Sequence, residues 1–213
     1  MNEDSLKIFT HLKIHTQYSI CEGALRTDDL AKYCKENKIK AVGLCDSNNL
    51  CGALEFSETI AKSKTQPIIG VQINIQYKDH IGKLPLFAKD LDGYKNLIKL
   101  SSKSFLEIKE DEEPHCKIDD IIKHSKGLIL LAGTFDGLIG KLFFKNLTDE
   151  IILLSKKLKD TFKDNMYLEI QRHNDSGEKL YEKFVLSLAE KLHLPLIATH
   201  EVFYLDNSMH EAH

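Results

Sequence analysis

The chain has 213 residues, of which 42% are hydrophobic and 29% charged, and its formal net charge is −3. These values are typical of a globular protein with enough apolar residues for a core. Arginine, which suits bidentate contacts to phosphate, occurs only at Arg26 and Arg172, so the composition argues against a dedicated DNA-reading surface. No apolar run approaches the ~20 residues of a membrane span. The N-terminus lacks the apolar core of a signal peptide, so a cytoplasmic location with no membrane partner is expected.

The cysteines point to the same compartment. There are five, at Cys21, Cys34, Cys45, Cys51 and Cys116. The odd number and the lack of a C-x-x-C pair argue against a disulfide framework and against a zinc ribbon. Reduced thiols of a cytosolic protein are therefore expected.

Short apolar runs of strand length alternate along the chain with longer runs of helical period. The predicted strands cover residues 8–15, 39–45, 67–77, 84–88, 127–133, 166–171 and 195–199. Helices are predicted between these strands. The N-caps are Thr27 for the first helix, Asn48 or Asn49 for the second, and Thr148 for the later of two helices that follow residue 133. A short helix covers residues 118–125, and two further helices carry apolar residues along one side, namely Tyr94, Leu97, Ile98 and Phe105 in one and Leu180, Phe184, Leu188 and Leu192 in the other.

Strands that alternate with helices imply parallel pairing through right-handed crossovers. About seven such units in one domain over residues 1–213 predict an α/β fold, a (β/α)7 barrel slightly smaller than the eight-unit type. A doubly wound open sheet is the alternative. The polar segment 207–213 has no helix-terminating signal such as a Gly C-cap, which suggests a piece cut from a longer protein.

Polar side chains follow several of the predicted strands, where a parallel barrel places its functional groups. They are His15, Asp46, Gln72, His173, His200 and Glu201. Histidines and carboxylates at one rim are typical of a hydrolytic site for divalent metals. The competing interpretation is that most of the ten histidines are surface residues. The glycines between Gly133 and Gly140 do not form a phosphate loop, because Phe135 stands where the first glycine is needed.

Three segments resemble a known family: residues 11–19, 44–53 and 86–97 are similar to successive motifs of the N-terminal PHP (polymerase and histidinol phosphatase) domain of bacterial DNA polymerase III alpha subunits. Residues 67–70, 167–173 and 198–204 fit the same pattern in the same order. The resemblance implies a distorted, TIM-barrel-like PHP barrel at the N-terminus of a much longer polymerase chain. An intact PHP site is expected to hold up to three metals through nine ligands.

This sequence departs from most of those ligands. The positions that match or nearly match, and form a vestigial site, are His15, Asp46, His173 and Glu201. The positions at which the expected ligand is lost are Lys13, Ser47, Gln72, Lys83 and Phe203. Lys13 and Lys83 would place ammonium groups where metals supplied positive charge, within salt-bridge reach of Asp46, Glu169 or Glu201. We therefore expect no metal there, with residual binding of one ion as the alternative.

The resemblance therefore implies a non-catalytic domain of the replicative DNA-directed DNA polymerase, a nucleotidyltransferase. Such a domain would stabilise the polymerase and dock the proofreading exonuclease subunit, and it would meet DNA only through the full-length protein. No cofactor is expected here, and Mg²⁺ is expected at the downstream polymerase site. The alternatives are an active metal-dependent phosphoesterase or 3'-5' exonuclease of the PHP family, and a free-standing PHP protein.

Overall fold

The computed structural model describes residues 9–206 and 208–209. Nine strands form one sheet in these residues: β1 Lys13–Ile14, β2 Ala41–Ser47, β3 Gln66–Tyr77, β4 His80–Ala88, β5 Cys116–Lys117, β6 Leu128–Ala132, β7 Met166–Ile170, β8 Leu196–Ala198 and β9 Glu201–Val202. The order is β8-β7-β6-β4-β3-β2-β1-β9, and β5 pairs with β3. The first strand is shorter than predicted, and Ile8, where that prediction began, lies outside the described residues. So does segment 207–213, apart from Ser208 and Met209.

The sheet is mostly parallel, but β4 departs from the all-parallel expectation. It runs antiparallel to both β3 and β6. Only Lys78 and Asp79 separate β3 from β4, and a parallel return would need a crossover of about a dozen residues. The chain therefore turns back in a hairpin, with Tyr77 opposite His80. As a result β4 begins at His80, four residues before the predicted start.

The sheet curls until its two ends approach one another. β8 and β9 lie at opposite ends of the strand order, yet only Thr199 and His200 separate them along the chain. Three peptide steps span at most about 11 Å, so the outer strands must lie close together at this point. This curled, incompletely closed sheet with helices around it confirms the predicted distorted barrel and not the open doubly wound sheet.

Seven α-helices surround the sheet in the described residues: α1 Thr27–Glu36, α2 Ala53–Lys62, α3 Leu91–Leu106, α4 Ile118–Lys123, α5 Leu138–Phe144, α6 Thr148–Phe162 and α7 Glu178–Leu192. A 3₁₀ turn, Lys163–Asn165, follows α6. The predicted N-caps are wrong. Thr27 and Thr148 are the first helical residues, and the residues before them make no side-chain cap bond. Asn48 and Asn49 precede α2, which begins after Gly52.

The core lies mainly between the sheet and the helices, and a smaller cluster of Cys45, Phe87 and Leu131 fills the inside of the curled sheet. Helix α3 buries Gly93, Leu97, Leu100 and Ser104, which recur every three or four residues. Ile98 and Phe105, predicted along one side together with Leu97, are exposed, whereas Leu97 is buried.

No helix in the described part of the chain combines the length and apolar character needed to cross a membrane.

Candidate functional site

The candidate site lies at the two short strands β1 and β9 and near the ends of β2 and β7. Side chains alternate between the faces of a strand, so Lys13 and His15 project to the same side of the chain around β1. Lys13 pairs in register with Glu201 of the parallel strand β9. Glu169, near the end of β7, approaches the same point from across the curled sheet.

Lys13 lies at the centre of this site, and its side chain has no exposed surface. Its Nζ is 2.8 Å from Glu201 Oε1 and 3.4 Å from Glu169 Oε2. It also donates to Thr134 Oγ1 at 3.3 Å. The predicted contacts of Lys13 with Glu169 and Glu201 are therefore present.

Burial alone would lower the pKa of Lys13, but the negative charges of Glu169 and Glu201 outweigh it and raise this pKa above its usual value. Burial has the opposite effect on Glu201 and raises its pKa, but His15 and the ammonium of Lys13 outweigh burial and hold this pKa well below its usual range. The lysine and the glutamate are both charged at neutral pH. The buried site thus holds one fixed cation among carboxylates.

Glu169 is fixed by two hydroxyl donors from neighbouring strand ends. Thr134 Oγ1 donates to Glu169 Oε1 at 2.5 Å, and Thr199 Oγ1 donates to Oε2 at 2.7 Å. Each carboxylate oxygen therefore has a hydrogen-bond donor, which is the usual requirement for a buried charge.

His15 is buried beside the Lys13 cluster. Its ring stacks on Phe203, with centroids 4.5 Å apart and an angle of 18° between the planes. Its Nε2 lies 3.9 Å from Glu201 Oε1, and its Nδ1 lies 3.9 Å from Glu22 Oε2. At those distances the carboxylates are charge neighbours and not hydrogen-bond partners. Phe203 thus packs its ring against the histidine, at a position where the resemblance implies a lost metal ligand.

Asp46 is engaged by the loop that follows β1. It accepts from the backbone N–H of Thr16 at 2.6 Å and from Ser19 Oγ at 2.7 Å, and Thr16 Oγ1 contacts both of its oxygens. Burial raises the pKa of Asp46 in spite of these donors. Ser19 Oγ is also 3.5 Å from His15 Nδ1, so a hydroxyl stands between the two predicted ligands.

The remaining altered positions surround Glu22. Ser47 Oγ donates to Glu22 Oε2 in a short hydrogen bond. Lys83 Nζ lies 3.9 Å from Glu22 Oε1 and 3.6 Å from Asp136 Oδ2, and its side chain is 26% exposed. Lys83 was predicted to lie within salt-bridge reach of Asp46, Glu169 or Glu201, and its contacts with Glu22 and Asp136 show that this prediction is wrong. Gln72 is buried with no hydrogen-bond partner for either amide atom among the described residues.

A cavity of about 740 Å³ opens beside this cluster, and His173, His200, Glu201 and Phe203 are among its lining residues. The rings of His173 and His200 stack with centroids 4.7 Å apart. Burial and then the neighbouring His173 lower the pKa of His200. The structure thus brings His173 to the same cavity as Glu201, while His15 lies behind Phe203 and Asp46 is joined to His15 through Ser19.

These residues do not fit the metals of an intact PHP site. Among residues 9–206 and 208–209, no group of three or more His, Cys, Asp or Glu side chains is arranged to hold a metal ion. The ammonium of Lys13 already binds Glu201 and Glu169, the carboxylates nearest the centre. A divalent cation there would lie against a fixed positive charge, which is unfavourable in a buried site.

Several residues of the site were not among the predicted ones. Thr134 and Asp136 lie two and four residues after β6, so both follow a strand, as most of the predicted site residues do. The glycines on either side of them indicate a turn and not a site. Glu22 lies in the irregular loop before α1, where no strand end marks it. Only the fold reveals its contacts.

Comparison with known proteins places this site in a family. Residues 11–173 match the model of the PHP domain. Proteins named DNA polymerase III subunit alpha are 37% identical over 206 residues in Rickettsia felis, 34% over 208 residues in Haemophilus influenzae and 34% over 213 residues in Caulobacter vibrioides. Each alignment covers 96% of this chain but only 17%, 18% and 19% of those relatives. The chain therefore spans less than a fifth of their length.

Solved structures share the fold at much lower sequence identity. A proposed metal-dependent phosphoesterase from Bifidobacterium adolescentis is 14% identical, with a TM-score of 0.62 over 91% of this chain and 88% of the other. An amidohydrolase from Chromobacterium violaceum is 10% identical, with a TM-score of 0.59 over 92% of this chain and 87% of the other. At these identities the likeness concerns the architecture alone.

Proposed function

Because this chain belongs to the PHP domain family, we propose that it is a non-catalytic PHP domain of a replicative DNA polymerase alpha subunit. In this role it stabilises the polymerase chain and docks a separate proofreading exonuclease. Nucleotidyl transfer with Mg²⁺ belongs to a downstream site of the longer protein, which acts in the cytoplasm and brings DNA to the complex. The similarity to alpha subunits over 96% of this chain supports the assignment.

The observation that carries the loss of catalysis is the buried Lys13. Its ammonium lies 2.8 Å from Glu201 and has no exposed surface. Metal-assisted hydrolysis needs ligands that are free to bind an ion, and an open position for water or substrate. Here the carboxylates bind a lysine and Phe203 covers His15. A domain of this kind retains the PHP architecture as a scaffold for protein contacts.

An activity measurement tests this proposal. Purified chain is incubated with Mn²⁺, Zn²⁺ or Mg²⁺ and either a chromogenic phosphomonoester or labelled single-stranded DNA. We expect no turnover above the rate without protein, and the same result for His173→Ala. Metal-dependent turnover that His173→Ala abolishes would instead establish an active phosphoesterase or exonuclease.

That second function has one observation in its favour. The cavity beside the site is open and presents His173 next to Glu201. Inactive His173→Ala together with active wild-type chain would show that this cavity still binds a catalytic ion. The variant therefore separates the two candidate functions and also controls for a contaminating nuclease, which it would leave unchanged.

A further inference from the structure

Helix α3 carries an apolar stripe on its outer face. Leu91, Ile98 and Phe105 are separated by seven residues each and are 67%, 44% and 50% exposed. Residues seven apart lie on the same side of an α-helix, two turns from one another. Leu106 beside them is 80% exposed. The stripe lies opposite the buried face of Gly93, Leu97, Leu100 and Ser104, so it adds nothing to the core of this chain.

Two lysines, Lys95 and Lys99, accompany this stripe on the exposed side of α3. Neither forms a salt bridge with a carboxylate in the part of the chain that the structure describes. The nearest acid on the helix, Asp92, is already paired with Lys126 at 2.7 Å. The pKa of His124 is lowered by burial and then by the positive charges of Lys99, Lys123 and Lys103. The apolar stripe therefore has a positively charged border.

We propose that the outer face of α3 binds an amphipathic helix of a partner protein, with apolar residues against Leu91, Ile98 and Phe105 and with Asp or Glu opposite Lys95 and Lys99. From Leu91 to Phe105 the stripe is about 21 Å long at 1.5 Å per residue, which matches about four turns of a partner helix. Apolar residues at spacings of seven suit a helix laid alongside, since each can fit between side chains of the facing helix.

The charges select this occupant over the others. A second copy docked through the same face would bring the lysines of two α3 helices together, and like charges there are unfavourable. A nucleic acid would pair with the lysines but leave the large apolar side chains uncovered. A partner helix with an acidic border satisfies both features, and this inference does not depend on the proposed role of the domain.

Two synthetic helical peptides of about 18 residues test it. Both carry leucines at heptad positions, and they differ only in having glutamates or lysines at the flanking positions. Binding is followed by amide chemical shifts of the ¹⁵N-labelled chain. We expect the glutamate peptide to bind and to shift the amides of Leu91–Leu106, with an affinity that falls as salt is added.

Variants locate the contact. Ile98→Asp should weaken binding at least about tenfold, as for a central apolar contact residue. Leu153→Asp, at a leucine of α6 that is 59% exposed, should not change it. The double change Lys95→Glu and Lys99→Glu should transfer binding to the lysine peptide. Equal binding of both peptides, no binding, or no effect of Ile98→Asp would overturn the proposal. Anionic vesicles or single-stranded DNA that shift the α3 amides when the glutamate peptide does not would overturn it equally.

Discussion

Lys13 determines the charge balance of the buried site. With Glu169 and Glu201 it forms a group of one cation and two carboxylates, and Thr134 and Thr199 supply the remaining donors. A buried carboxylate that lost its metal would be left uncompensated, at a cost of several kcal/mol. The ammonium provides the missing positive charge without coordination chemistry. The fold can therefore keep these buried carboxylates compensated without a metal ion.

Lys13→Ala should strongly destabilise the chain, because it leaves two buried carboxylates without a cation. Removing one partner of a buried pair costs about 3–5 kcal/mol, and Tm falls by about 2–4 °C per kcal/mol at this chain length. Thermal unfolding followed by circular dichroism should therefore show a decrease of at least about 6 °C. Lys83→Ala is the control, since Lys83 is partly exposed and its carboxylates are 3.6 and 3.9 Å away. It should cost no more than about 1 kcal/mol. Equal effects of the two changes would contradict the central role of Lys13.

Glu201 should make the stability depend on acid pH. Because its folded-state pKa is lowered, Glu201 stabilises the fold above the unfolded pKa of about 4.3, and this contribution is lost as the pH falls towards the folded-state pKa. Glu201→Gln should therefore be less stable than wild type at pH 7, and the difference should shrink below about pH 4.3. Urea unfolding at a series of pH values measures it. Asp46 is kept in both proteins, because its raised pKa makes its contribution to stability change with pH in the opposite direction. A difference that stays constant down to pH 3 would argue against the ion pair.

For single residues, the sequence predicts where a side chain lies better than which other side chains it contacts. His15 follows β1 and His173 follows β7 as expected, whereas Glu201, expected after the last strand, begins β9. Lys13 contacts two of the predicted carboxylates. Lys83 was expected at the same carboxylates, but its strand is antiparallel and its side chain meets Glu22 and Asp136 instead. Contacts across a curled sheet depend on strand register, which local sequence pattern does not reveal.

Among the elements, helix ends were the least predictable. Thr148 looked like an N-cap, yet it is the first residue of α6 and no side chain caps that helix. Asp90, which had no predicted role, does cap α3: its Oδ1 accepts from the backbone N–H of Gly93 at 2.9 Å. Both positions precede apolar residues of helical period. Which polar residue caps a helix depends on where the preceding loop leaves the chain.

Asp90→Ala should cost about 0.5–2 kcal/mol, the usual range for a lost N-cap, and Asp90→Asn should recover most of it. Thr148→Ala is the matched control, because Thr148 is exposed and makes no cap bond; it should change the free energy of unfolding by no more than about 0.5 kcal/mol. Chemical denaturation at neutral pH gives all three values. A larger effect for Thr148→Ala would restore the capping role predicted from sequence.

The parallel pairing expected for β4 is wrong, and the length of the connection before it gives the reason. Six residues between predicted strands ending at Tyr77 and starting at Leu84 are too few for a helical crossover, so a hairpin was the only connection available. Alternation of strands with helices elsewhere correctly predicted parallel pairs. The final short strand β9 could not be predicted, since two residues carry no periodic pattern and depend on β1 for their hydrogen bonds.

At the scale of the whole chain, we expect only weak direct contact with DNA. Its net charge is −3, and one of its two arginines, Arg172, is bound bidentately to Glu182 through two hydrogen bonds of 2.9 Å. Arg26 is the other. Lysines supply the remaining cations, and among the described residues six of them pair with surface carboxylates. With an overall negative charge and one arginine held by a carboxylate, DNA binding should be weak and should fall steeply with salt.

As a docking domain, this chain should bind a protein partner better than a nucleic acid. Titration calorimetry at physiological salt should show that the proofreading exonuclease of the same organism binds this chain far more tightly than duplex DNA does. Duplex binding should weaken further as salt is raised, in proportion to the few phosphates contacted, whereas an interface of mainly apolar and hydrogen-bonded contacts should be much less sensitive. Arg26→Ala should reduce the duplex signal only, which separates a residual phosphate contact from the protein interface. Tight duplex binding with no heat from the exonuclease would mean that this PHP domain serves DNA directly and that its docking role is wrong.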